Sequence, residues 1–200
     1  MTDAPPELPT QPLSDLVAWW RKTKTRGLIV GGLAVAILGR PRTTQDIDAI
    51  VFLKDHRWEE FLRIGESLSF RSRVPDPLAF AEENRVLLAR HEKSGIDVDL
   101  SLAALPFERE ILKRSQKAKI GGVRISIPTA EDLIILKAIA NRPRDKIDIE
   151  GILERCPKLN TRHIKKEVDR FARLLDMSEI ADDIRGLLAK VGKRNRRRKN

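Results

Sequence analysis

Two aspartates one residue apart, Asp46 and Asp48, stand in the run "RTTQDIDAIVFL", a short loop beyond a glycine pair, Gly31 and Gly32. Side chains alternate along a strand, so Asp46 and Asp48 share one face while Ile47, Ala49, Val51 and Leu53 share the other. The apolar face anchors the strand; two like charges held close together on the opposite face require a cation. A second run, "IDVDLSLA", repeats the parity, with Ile96, Val98, Leu100 and Leu102 on one side and Asp97, Asp99 and Ser101 on the other. If the two strands are neighbours, three or four carboxylates converge. Oxygen-only clusters suit hard cations, chiefly Mg²⁺, which keeps several waters and is completed by substrate phosphates. Two such ions about 3.5–4 Å apart can clamp the attacking and leaving oxygens of an in-line phosphoryl displacement. Parity alone does not choose between Asp97 and Asp99.

The glycines supply the other half of a phosphate site. Gly31 and Gly32 fall where a short apolar strand, Leu28 to Val30, enters a helix, and without a Cβ they let phosphate oxygens reach backbone N–H groups at a positive helix end. Alone, a glycine pair specifies only a tight turn; with "RTTQDID" a few residues on, the combination is far more specific. The P-loop pattern does not occur, and His56, His91 and His163 are too scattered for a zinc site.

Around these residues the chain reads as alternating strands and helices followed by helices alone. A helix is expected over Leu13 to Lys24 with Ser14 as its N-cap, then the Leu28–Val30 strand, the "LAVAILG" helix, and a strand over Asp46 to Leu53. Next come the amphipathic "HRWEEFLRIGESL", a hairpin turning at Glu92 to Gly95, the helical "PFEREILKRSQ" and the strand "VRISIP". Four helical segments follow Pro128. The expected organisation is a loose arm (1–12), an α/β (α+β) core with a mixed sheet and flanking helices (13–128), a C-terminal helical region (129–189) and a basic, disordered tail (190–200).

The chain of 200 residues has a net charge of +10, and seven of its Lys and Arg fall within "KVGKRNRRRKN". Such a run attracts polyanions by charge alone. One cysteine, Cys156, excludes an internal disulfide framework. The longest apolar stretch, Gly27 to Leu38, is shorter than the roughly 20 residues a spanning helix needs, and the N-terminus lacks a signal-peptide pattern. A cytoplasmic protein without membrane partners is expected.

Three blocks, "VGGLAVAILGRPRTTQDIDAIV", "VDLSLAALPFERE" and "EDLIILKAIANRPRDKIDIEGIL", occur in this order between Leu28 and Leu153. Together they resemble the DNA polymerase β-like nucleotidyltransferase superfamily, and within it the small bacterial nucleotidyltransferases that include AbiEii-type toxins. The resemblance implies a nucleotidyltransferase-type fold and Mg²⁺-dependent transfer of a nucleoside monophosphate from an NTP to an acceptor hydroxyl, with Mn²⁺ able to substitute. It makes Gly31 and Gly32 the nucleotide-phosphate turn, Asp46, Asp48 and Asp99 the metal ligands, and Asp99 also the third carboxylate, which activates the acceptor. It assigns Arg42, Thr44 and Lys137 to nucleotide binding. Lys137 interrupts an apolar helix, and Asp145 and Asp148, three apart on one helix face, are placed to form an ion-pair network with it.

The resemblance admits RNA 3′ ends, protein hydroxyls and small molecules as acceptors, and the basic tail favours RNA, in the setting of a toxin-antitoxin pair with a cognate partner. The alternatives are a non-catalytic nucleic-acid- or partner-binding protein on the same fold and an antitoxin-type, protein-modifying nucleotidyltransferase.

Overall fold

The computed structural model describes residues 9–197, with side chains to Val191. The described residues divide into two compact units, one comprising residues 9–33 and 42–128 and the other residues 34–41 and 129–197.

The first unit is built on a five-stranded mixed sheet. Its strands are β1 (Arg26–Ile29), β2 (Asp46–Phe52), β3 (Phe70–Ser72), β4 (Val86–His91) and β5 (Ile96–Leu102), in the order β1-β2-β5-β4-β3. Only β2 and β5 run parallel. A separate hairpin pairs β6 (Gln116–Ile120) with β7 (Val123–Ile127). The helices of this unit are α1 (Thr10–Lys22), α3 (Trp58–Glu66), which follows a 3₁₀ turn over Asp55–Arg57, α4 (Pro77–Asn84) and α5 (Pro106–Arg114). The helix α2 (Gly31–Leu38) carries the chain from this unit into the other.

The alternation read in the sequence positions β2. Ile47, Ala49 and Val51 are buried, whereas Asp46 is exposed and Asp48 half-buried. Trp19 of α1 stacks on Phe61 of α3 and Phe70 of β3, with centroids 4.3 and 4.9 Å apart, and its indole N–H donates to the Phe61 carbonyl at 2.8 Å. This aromatic cluster, with a stacked pair worth about 0.5–1.5 kcal/mol beyond its area, holds α1 and α3 on the sheet. His91, fully buried, lies between Asp15 and Ser94 at 3.1 and 2.8 Å.

Several boundaries differ from the expectation. The helix α1 starts at Thr10, so Ser14 lies inside it and Pro9 takes the cap position without a side-chain bond. Pro12 does not break the helix, because amides of a first turn have no intrahelical partner to lose. Of the expected arm, residues 1–8 lie outside the described residues. The strand β3 is too short to show a period, and β6, "QKAKI", puts only Ala118 and Ile120 on an apolar face, so the sequence reading missed both. It also missed α4, although Asp76 accepts from Ala79 N–H at 3.1 Å ahead of Pro77, an ordinary helix start.

The second unit packs α6 (Ala130–Ala140), α7 (Pro143–Arg155), α8 (Thr161–Leu175) and α9 (Ser178–Arg197) around an apolar centre. The Thr129 hydroxyl accepts from Asp132 N–H at 3.2 Å and caps α6. This helix is apolar on most sides and correspondingly buried, from Leu133 to Ile135 and again at Ala138. Arg40 pairs with Glu154 at 2.6 Å within this unit. The segment expected as a disordered tail is instead helical to Arg197: Val191 is buried and Lys190 pairs with Glu150 at 2.7 Å. Lys and Arg are good helix formers and sit favourably at a helix C-terminus. Residues 198–200 lie outside the described residues.

No helix among the described residues is long and apolar enough to cross a membrane.

Candidate active site

The site begins with the parallel pairing of β2 and β5. Their register sets Asp46 beside Asp97 and Asp48 beside Asp99. Parallel neighbours in register point their side chains to the same side, so four carboxylates occupy one patch of one sheet face. Repulsion in the patch is relieved by arginine. Arg90 lies directly across from Asp97 on β4 and grips it with two bonds, at 2.6 and 3.2 Å. Arg73, one residue beyond β3, reaches Asp97 at 3.0 Å and also pairs with Asp99. The hydrogen bonds from Arg90, helped by the Arg73 charge and opposed by desolvation, hold the Asp97 carboxyl below the usual carboxylate range.

The glycine pair closes the other side. Gly31 has a φ of +54°, in the left-handed region, and a Cβ there would overlap the Asp48 carboxylate. A Cβ on Gly32 would collide with the Thr44 hydroxyl and crowd the Arg42 guanidinium. The start of α2 is thereby pressed onto β2, and Val30 N–H donates to the Asp48 carbonyl at 2.9 Å. Thr44 donates its hydroxyl to Asp46 Oδ1 at 2.7 Å, fixing the first carboxylate from the preceding loop. Gly31, Gly32, Arg42, Thr44, Asp46, Asp48 and Asp99 therefore all lie in the first unit, the first six in direct or near contact around β2.

Lys137 is placed differently. It belongs to the second unit, is 8% exposed, and its ammonium lies 2.7 Å from Asp145 and 2.8 Å from Asp148. Asp145 also accepts from Arg142 N–H at 3.1 Å. The expected ion-pair network is thus present, while the donor role expected for Lys137 has to be reconciled with an ammonium already held by two carboxylates.

Arg73 and Arg90 escaped the sequence reading. The signal for Arg90 was available, because a hairpin turning at Glu92 to Gly95 sets residue 90 against residue 97. For Arg73 there was none, since β3 itself was not read.

Among the described residues, no three His, Cys, Asp or Glu side chains gather as a ready-made metal-binding set. The donors at hand still have the character a hard divalent ion needs. Asp46 and Asp48 offer oxygen on one strand face, and Gly31 leaves the Asp48 carboxylate the room a side chain would fill. Two carboxylates completed by water and phosphate oxygens match the usual manner of holding Mg²⁺.

A family described as a nucleotidyltransferase of unknown function (DUF6036) matches residues 18–156. The chain belongs to this family. The match runs from α1 through both glycines and all four strand aspartates to the end of α7, in line with the polymerase β-like superfamily. Solved structures share the nucleotidyltransferase fold at low identity. The solution structure of the antibiotic-resistance factor ANT(2'')-Ia superposes with a TM-score of 0.58 at 17% identity, covering 85% of this chain and 95% of the other. An antigenic nucleotidyltransferase-like protein from Paracoccidioides brasiliensis gives 0.53 at 14%, covering 86% and 92%. The lincosamide antibiotic adenylyltransferase LnuA, with lincomycin bound, gives 0.53 at 13%, covering 72% and 96%. No curated protein matches this nucleotidyltransferase.

Proposed function

We propose that this nucleotidyltransferase moves a nucleoside monophosphate from an NTP to the 3′ hydroxyl of an RNA, using Asp46, Asp48 and Asp99 as its acidic centre. The observation that carries the reading is the registered placement of Asp48 beside Asp99 with Gly31 closed onto Asp48. Gly31 and Gly32 cradle the triphosphate at the start of α2, with Arg42 and Thr44 supporting the turn. Asp46 and Asp48 hold Mg²⁺, and Asp99 accepts the proton of the acceptor hydroxyl once Arg73 has moved off it. The ion, when bound, neutralises charge on the triphosphate and polarises the phosphorus under attack. The acceptor oxygen forms a bond to the α-phosphorus as the bond to the β-phosphate oxygen breaks, and pyrophosphate leaves. Asp97 is the weaker candidate for the proton acceptor, because two arginines already engage it. Lys137 acts by holding α6 to α7 through Asp145 and Asp148.

RNA is favoured as acceptor by the excess of basic residues in a chain of net charge +10. The lincosamide antibiotic adenylyltransferase of similar fold makes a small-molecule hydroxyl the competing acceptor class. The deciding experiment incubates the protein with each α-labelled NTP, Mg²⁺ and total RNA, whole-cell protein or an aminoglycoside and lincosamide panel. Label in RNA that disappears with Asp48→Asn supports the reading. Label in protein or drug alone replaces the acceptor, and no label with any of them removes the transfer reading.

A further inference from the structure

A cavity of the first unit lies away from the aspartates. About 660 Å³ in volume, it lies between the end of α1, the start of β1 and the β6–β7 hairpin. Its apolar floor is Val17, Trp20, Leu112 and Ile125, and its rim carries Arg21, Arg26, Lys117 and Arg124. No acidic residue lines it. The four cationic side chains are exposed, and among the described residues none of them makes an ion pair; Lys117 bonds only to the Ser126 hydroxyl, at 2.7 Å.

Two stretches far apart in sequence build this surface, and neither contains an Asp or Glu. Residues 16–29 hold Arg21, Lys22, Lys24 and Arg26, and residues 112–127 hold five more Lys and Arg. The hairpin register puts Lys117, Lys119 and Arg124 on one face, because Lys117 opposes Ser126 and Lys119 opposes Arg124. The fold packs both α1 and β1 against β7, joining the two acid-free stretches into one patch. Lys113 pairs with Glu110 at 2.7 Å beside the groove, but ion pairing within the fold does not account for the rim itself, since none of Arg21, Arg26, Lys117 and Arg124 meets a carboxylate among the described residues.

We propose that this groove binds the phosphodiester backbone of single-stranded RNA. Its cations meet the phosphates, and its apolar floor accommodates the faces of bases, as in sequence-tolerant strand binding. Arg26 and Asp46 lie at opposite ends of the antiparallel β1–β2 pair, since Arg26 is registered with Phe52 and Ile29 with Ala49. At about 3.3 Å per residue, the six steps from Asp46 to Phe52 separate groove and aspartates by roughly 20 Å, so the groove is a holding site for the strand away from the reacting end. For that purpose the inference rests on RNA being the acceptor, whereas binding itself can be read without any reaction.

The test is fluorescence anisotropy of a labelled single-stranded RNA with the full chain, without nucleotide, from 0.05 to 0.5 M salt. The variants are Arg26→Ser with Arg124→Ser, and Arg26→Lys with Arg124→Lys. Each phosphate contact on a single strand contributes about 0.7 to the slope of log K against log salt. The serine pair should therefore lower the slope by roughly 1.4 and the affinity near 0.1 M salt by roughly 25-fold, with its melting temperature unchanged and the lysine pair close to the parent. Unchanged slope and affinity in the serine pair would overturn the proposal, as would an acidic peptide of equal charge competing as well as RNA. Loss of binding in a chain that labels no RNA keeps the groove and refutes the acceptor reading; RNA labelling with undiminished binding does the reverse.

Discussion

Arg90 on β4 and Asp97 on β5 face each other across an antiparallel ladder and are joined by two hydrogen bonds, at 2.6 and 3.2 Å. Asp99, two residues on, is registered with Leu88 on β4 and pairs with Arg73 from beyond β3. Two aspartates indistinguishable by parity thus stand in different surroundings.

Asp97→Asn should cost stability rather than chemistry. A two-pronged arginine pair at a partly exposed site is worth about 1 kcal/mol. The native Asp97 pKa lies below its unfolded value, so this contribution is fully present above about pH 4 and is lost as pH falls through the native pKa. Urea denaturation of the two proteins should differ at pH 7 and converge towards pH 2. Asp99→Asn should instead abolish transfer with little change in stability. A dead Asp97 variant beside an active Asp99 variant would reverse the two roles.

Nucleotide affinity should depend on the divalent ion. Asp46, Asp48 and Asp99 repel a triphosphate until Mg²⁺ or Mn²⁺ intervenes, so calorimetry should find at least tenfold weaker NTP binding in EDTA, a difference of about 1.4 kcal/mol. Asp48→Asn should remove the metal-dependent part and leave the fold intact, because it removes one of several mutually repelling charges at constant volume. Equal affinity in EDTA and excess Mg²⁺ would dispose of the metal reading.

Gly31→Ala should impair the site and the fold together. The new Cβ meets the Asp48 carboxylate, and φ of +54° adds strain of about 1 kcal/mol or more. Circular dichroism should show a lower melting temperature. Gly95→Ala is the control: its φ is +69°, but nothing lies within 4 Å of the added carbon, so it should show the backbone strain alone.

Lys137→Met should be severe, at about 3–5 kcal/mol, because it removes the buried ammonium that Asp145 and Asp148 share. Replacing all three, with Asp145→Asn and Asp148→Asn added, should recover much of that loss. If NTP affinity falls in the stable triple variant by more than tenfold, Lys137 touches the triphosphate as well.

Much of the frame was legible from local pattern. Alternation over Asp46–Phe52 and Ile96–Leu102 identifies β2 and β5, the polar turn at Glu92 to Gly95 identifies the β4–β5 hairpin, and helical periodicity after Thr129 identifies α6 to α9, because periods of 2 and 3.6 follow from the backbone geometry of each element. Short or polar elements such as β3 and β6 carry too few apolar residues to register a period. Sequence also implied that aspartates of two strands could share a face. Only the tertiary structure decided that β2 and β5 are parallel neighbours with Asp48 beside Asp99, that Arg73 and Arg90 answer the carboxylates, and that two acid-free stretches some ninety residues apart close one basic groove. Periodicity is a property of neighbours in the chain, whereas strand pairing and charge compensation are settled by long-range packing, which brings together residues that no local pattern connects.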